Sequence, residues 1–260
     1  MSDPNCFDQP ALALLAHDLR SPLTVLRTNL VFLANPDDEN DRQALLLACN
    51  EAARRIERTV ENLALLTSDQ APPLEPASTQ AGAPRLAANL GALLGEMAAD
   101  LAPVFRTREQ ALRLELPTDP VRVPLDLPLA RMLLSNALIN AAEQSRMGST
   151  IVCRLTEDDG RCTLVVEDDG PSIPTELVQR LFELGAAAEL TGQKVRVGKG
   201  LSLVALQRVA RSVDGEATLG QPDATQRRRI VVVLPTVAAS THPARDPNDD
   251  GPSRFSPPRR

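Results

Sequence analysis

The chain has no tryptophan and no tyrosine, and only five phenylalanines in 260 residues. Base stacking on aromatic platforms is therefore not expected, and any core must be packed from Leu, Val and Ala. The formal net charge is −6, which removes the basic footprint of a nucleic-acid binder. The four cysteines, Cys6, Cys49, Cys153 and Cys162, have no Cys-x-x-Cys spacing and almost no histidine company. Zinc is not expected, and reduced thiols in a cytoplasmic protein are. No apolar run approaches roughly 18 residues, so direct membrane insertion is not expected. The first ten residues carry Asp3 and Asp8 without a positive start, unlike a signal peptide. Histidine is nearly absent too. Apart from His242, in a proline-rich tail, there is only His17, so histidine chemistry in a folded region falls to His17.

What is present reads as two modest domains, with an apolar share of 43%. Leu12, Leu15, Leu19, Leu23, Leu26, Leu30 and Leu33 step by three or four, predicting a helix over about 10–34. Residues 35–40, Asn-Pro-Asp-Asp-Glu-Asn, make an acidic turn. A second seam, Leu46, Cys49, Ala53, Ile56, Val60, Leu63 and Leu66, predicts a helix to about Thr67, with Arg54, Arg55, Glu57, Arg58 and Glu61 on its solvated face. One hairpin cannot bury both seams, so a homodimer with a four-helix bundle is expected. The expected boundaries are a helical hairpin over 1–68, a proline-rich linker over 69–84, a mixed α/β domain over 85–236 and a disordered tail over 237–260.

In the α/β domain, helices are predicted over 86–104, 127–145, 175–184 and 201–213. Strands are predicted over 112–116, 121–123, 150–156, 162–167, 216–219 and 229–234, with a hairpin at Asp158-Asp159-Gly160. Strands on one side and helices on the other predict a two-layer α/β sandwich, and an α+β class for the whole chain.

His17 and Asp18 lie off the leucine seam of the first helix, and Ser21 lies one turn beyond His17 on the same face. Pro22, lacking an amide proton, should bend the helix just after the histidine. An exposed imidazole beside a carboxylate fits a nucleophile with a neighbouring base. Taken alone, His-Asp fits a solvated surface histidine better than a nucleophile.

The longer string His17-Asp18-Leu19-Arg20-Ser21-Pro22-Leu23 resembles the phosphoacceptor box of the sensor histidine kinases, His-Glu/Asp-x-Arg-x-Pro-Leu. Three downstream stretches resemble the boxes of the GHKL, or Bergerat-type, ATPase fold of the same family. Asn136-Ala137-Leu138-Ile139-Asn140-Ala141-Ala142-Glu143-Gln144-Ser145 resembles the N box, with Glu143 and Gln144 where the family has Lys and Tyr. Val165-Val166-Glu167-Asp168-Asp169-Gly170-Pro171-Ser172-Ile173-Pro174 resembles Val-x-Asp-x-Gly-x-Gly-Ile-Pro, with Ser172 at the second glycine. Gly198-Lys199-Gly200-Leu201-Ser202-Leu203 resembles Gly-x-Gly-Leu-Gly-Leu, with Ser202 at the last. Leu181-Phe182-Glu183 resembles the Phe box, and 185–197 a short ATP lid. Singly, the second stretch also fits an acidic turn, the third a plain loop, and the first a helix with capping amides.

The resemblance implies ATP and Mg²⁺ as cofactors. Asn140 would hold the metal, and Asn136 would lie near the phosphates. Asp168 would read the adenine amino group beside Gly170, while Gly198, Lys199 and Gly200 would hold phosphates. It implies autophosphorylation of His17 with Asp18 as base, then transfer to an aspartate of a response-regulator receiver domain. Ser21 would serve a reverse phosphatase reaction. About ten residues precede the first helix, so the signal is expected from a separate sensor protein. The altered glycine boxes keep a rival open: a pseudokinase or histidine phosphotransfer relay that binds ATP weakly or not at all. A GHKL protein kinase acting on serine is a third reading, opposed by the intact histidine box.

Overall fold

The computed structural model describes residues 9–67, 87–171, 173–183, 201–220 and 227–237. Two long helices come first, α1 (Gln9–Phe32) and α2 (Glu39–Thr67). They pack on each other, and α1 runs through Pro22 unbroken. The turn between them is fixed by reciprocal aspartate contacts. Asp38 Oδ1 accepts from the Asp41 N–H at 2.8 Å, and Asp41 Oδ2 accepts from the Asp37 N–H at 3.1 Å. The first satisfies a donor that the first turn of α2 would otherwise leave open, and the second ties the incoming chain to that turn.

The two seams differ from expectation in an instructive way. On α1, Leu12, Leu23 and Leu30 are 52%, 50% and 56% exposed in the single chain. On α2 the buried stripe is Cys49, Ala52, Thr59, Asn62 and Leu66, while Leu46 and Val60 face solvent. The stripe is rotated because α2 is packed on two sides, against α1 and against the α/β part, and small or polar residues allow the second approach.

In the α/β part, β1 (Ala88–Asn89) pairs antiparallel with β3 (Arg122–Val123). The helix expected from residue 86 starts only at Leu90, because Asn89 caps it and the preceding residues are pulled into β1; α3 is Leu90–Thr107. β2 (Ala111–Glu115), β4 (Thr150–Asp158), β5 (Arg161–Asp168), β6 (Glu216–Gly220) and β7 (Arg228–Pro235) form one mixed sheet in the order β2-β4-β5-β7-β6. Only β2 and β4 run parallel; the other pairs are antiparallel. The β4–β5 hairpin turns at Asp159 and Gly160 with φ of 45° and 71°, the left-handed pair that a two-residue turn requires.

Alternation sets the core. Ile151, Cys153, Leu155, Cys162, Leu164, Val166, Ile230, Val232 and Leu234 all point to one face. Helix α4 (Leu127–Gln144), α3 and a helix over Leu201–Arg211, here α6, cover that face. Burial pushes the thiols of Cys153 and Cys162 up to about 12 and about 11, so they are packing groups rather than nucleophiles. The segment expected as a helix over 175–184 is one α-turn, α5 (Thr175–Val178), tightening into a 3₁₀ turn (Gln179–Phe182). So short a helix gains little from cooperativity, and fully buried Leu181 anchors it.

At the start of α4, Asp126 Oδ1 accepts from the Leu129 N–H at 2.8 Å. Asp126→Ala is expected to lower stability by about 1 kcal/mol, read as a lower denaturant midpoint by far-UV circular dichroism. Among the described residues no helix is long and apolar enough to cross a membrane.

Candidate functional site

His17, Asp18 and Ser21 all lie within α1. Asp18 is 5% exposed, so its carboxylate is not part of a solvated face. Ser21, one turn after His17, is half-buried. Gly198, Lys199, Gly200 and Ser172 lie outside the described residues, as do the stretch expected as a lid over 185–197, the expected linker over 69–84 and all of the expected tail after Val237. Ser202 is the second residue of α6 and does not have positive φ, so serine fits there without backbone strain.

The described part of the site is built by α4, the end of β5 and the start of β7. Asn140 projects from α4 and is 4% exposed; Asp168 ends β5 and is fully buried. The end of α4 and the turn after β5 are locked together. The Arg146 N–H donates to Asp169 Oδ1 at 3.2 Å. The Gly170 N–H donates to Asp168 Oδ1 at 2.8 Å. A Cβ on Gly170 would fall 2.7 Å from that oxygen and 3.0 Å from the Gln144 carbonyl oxygen. Only glycine lets the turn lie so close beneath α4.

Sequence reasoning missed Arg228, the first residue of β7. Its Nε donates to both Asp168 oxygens, at 3.1 and 3.0 Å, and a terminal nitrogen donates to Oδ2 at 2.8 Å. The same terminal nitrogen lies 3.4 Å from Asn140 Oδ1. The pair is almost dry, with side-chain exposures of 3% and 0%. Burial pushes the Asp168 carboxyl above its ordinary range, against the opposing pull of Arg228. Asn140 and Asp168 are thus brought together, with a guanidinium between them. Asn140 offers the hard oxygen that Mg²⁺ takes, so the donor type fits. The cation beside it opposes a second positive charge.

Asn136 faces elsewhere. Its amide makes a reciprocal pair with Asn62 of α2, at 2.9 and 2.8 Å, both residues buried. Glu143, which stands where the resemblance has Lys, accepts from Arg58 at 3.0 Å and lies 3.9 Å from Arg55. Arg54 donates to the Asp100 carbonyl oxygen at 3.2 Å, and Arg208 of α6 to the Leu66 carbonyl oxygen at 3.1 Å. The arginine face of α2, expected in solvent, therefore docks in part on α3 and α4. Opposite charge at Glu143 and the amide match at Asn136 draw it there.

A helical pair followed by a mixed sheet covered by helices on one face is the α+β architecture expected from the sequence. Two family models match in that order. Residues 11–72 match "His Kinase A (phospho-acceptor) domain", and residues 126–238 match "Histidine kinase-, DNA gyrase B-, and HSP90-like ATPase". The chain belongs to the histidine kinase family. It is 28% identical over 207 residues to the probable sensor histidine kinase TcrY of Mycobacterium tuberculosis, covering 78% of this chain and 41% of that protein. It is 29% identical over 223 residues to the adaptive-response sensory kinase SasA of Trichormus variabilis, covering 81% and 53%. The chain spans about half the length, or less, of these curated relatives. Among solved structures, Acinetobacter baumannii histidine kinase AdeS matches with a TM-score of 0.53 at 17% identity, over 85% of this chain and 98% of that one. Histidine kinase ThkA, solved with response regulator protein TrrA, matches at 0.56 and 18%, over 87% and 61%. These two likenesses concern the fold.

Proposed function

We propose that this chain is the catalytic core of a two-component histidine kinase. His17 would attack the γ-phosphorus of ATP. The bond to the bridging oxygen breaks, ADP leaves, and Asp18 takes the imidazole proton. Mg²⁺, held by Asn140, would supply charge neutralisation at the phosphates. Asp168 would read the adenine amino group, with Gly170 giving the base room, and Gly198, Lys199 and Gly200 would hold phosphate oxygens. The phosphoryl group would then pass to an aspartate of a response-regulator receiver domain. Ser21 would orient water for the reverse, phosphatase reaction.

The observation that supports this reading is that Asn140 of α4 and Asp168 at the end of β5, remote in sequence, come together beside the Gly170 turn. The half-exposed leucines of α1 support a homodimer through the helical pair. Input from a separate sensor protein and a cytoplasmic location complete the proposal, with the domain limits given above.

The test is incubation with labelled ATP and Mg²⁺ beside His17→Gln. Acid-labile, base-stable label on the wild type and none on H17Q is expected. Label that persists in H17Q would overturn the assignment of His17. A second reading, a phosphotransfer relay or pseudokinase, is favoured by the Arg228 contact with Asp168. It expects no label from ATP, but label on His17 from a phosphorylated receiver domain.

A further inference from the structure

Arg228 has no part in the reaction just described, yet it holds the centre of the site. An ionised carboxylate has about four lone-pair directions. Those of Asp168 meet Arg228 Nε and the Gly170 N–H at Oδ1, and Arg228 Nε and a terminal nitrogen at Oδ2. Three N–H groups, with the single Arg228 Nε–H shared between both oxygens, already occupy the carboxylate, so an incoming amino group would have to compete with the guanidinium. The same guanidinium reaches Asn140 Oδ1, so it also sits where a divalent cation would be held. The arrangement is prepared by the backbone, since Asp168 and Arg228 are directly opposed across β5 and β7. A side chain so placed returns to its partner whenever the slot is free.

We propose that Arg228 is a built-in occupant of the nucleobase slot, which a nucleotide must displace, and that it thereby sets the nucleotide affinity of this chain. The proposal rests on the reading of Asp168 as the base reader. Binding is then weakened by the fraction of molecules whose arginine is out. With a minor state of about 1–10%, the loss is about tenfold to a hundredfold.

The experiment is calorimetric titration of ATP with Mg²⁺ into wild type, Arg228→Ser, Arg228→Gln and Asp168→Asn, with folding followed by circular dichroism. R228S is expected to bind about tenfold to a hundredfold more tightly than wild type, and R228Q to improve in the same direction. R228Q keeps an amide donor for Asp168 and carries the test should R228S fail to fold. Equal binding by wild type and the Arg228 variants, with binding lost in D168N, would overturn the proposal while leaving Asp168 as the base reader. No binding by any folded variant would overturn both.

Discussion

Asp168→Ala is expected to be the most damaging single change in the α/β part, at about 3–5 kcal/mol. It strands Arg228 at 3% exposure with no counter-ion, and a guanidinium cannot escape the penalty by losing its proton. Arg228→Ser should cost less, because the carboxyl left behind can become neutral. Burial already pushes its pKa up in the presence of the arginine, and removing the arginine takes away the largest opposing pull. In R228S the folded state then binds this proton more tightly than the unfolded state, so stability falls as pH rises from the ordinary 3.8 through the raised value. The R228S deficit should shrink toward acid pH, whereas the D168A deficit should not follow that course. Denaturant midpoints by far-UV circular dichroism measure both; with no Trp or Tyr, intrinsic fluorescence offers little. Equal deficits at every pH would show that Asp168 carries no charge the fold depends on.

Why Arg228 escaped sequence reasoning is visible in its surroundings. The predicted strand begins at 229, which leaves Arg228 just outside it. The phase held the signal. Arg228 shares the inward alternation of Ile230, Val232 and Leu234, so extending the strand by one residue puts an arginine in the core, where it needs an acid. The leucine periods of α1 and α2 and the Asp-Asp-Gly turn were legible because each follows from local geometry. The docking of α2 on α4 was not, because nothing in the sequence around Asn62 points to Asn136 as its partner. Their meeting depends on how separately folded pieces come together.

That meeting carries the second large effect. Asn62→Ala leaves the buried Asn136 amide without its donor and acceptor, and is expected to cost about 1–3 kcal/mol. Undocking α2 and letting water reach Asn136 offers an escape from that cost. The result should therefore appear either as a lower melting midpoint or as faster amide exchange where α2 meets α4. The double change N62L/N136L removes both polar partners together and should recover most of the loss, giving a large coupling in a double-mutant cycle. Additive single effects, with exchange unchanged, would mean the two amides do not hold the parts together.

The place of β7 has a consequence for how the molecule is born. It is the last of the described strands, yet it is inserted between β5 and β6. The helical pair uses contacts close in sequence and can form while synthesis continues. The sheet cannot be completed then, because β5 and β6 present unpaired edges until residues 228–235 have emerged. During that interval the nascent chain displays open strand edges, the state most exposed to wrong partners. The same late strand delivers the arginine that neutralises Asp168, so charge balance and sheet closure arrive together.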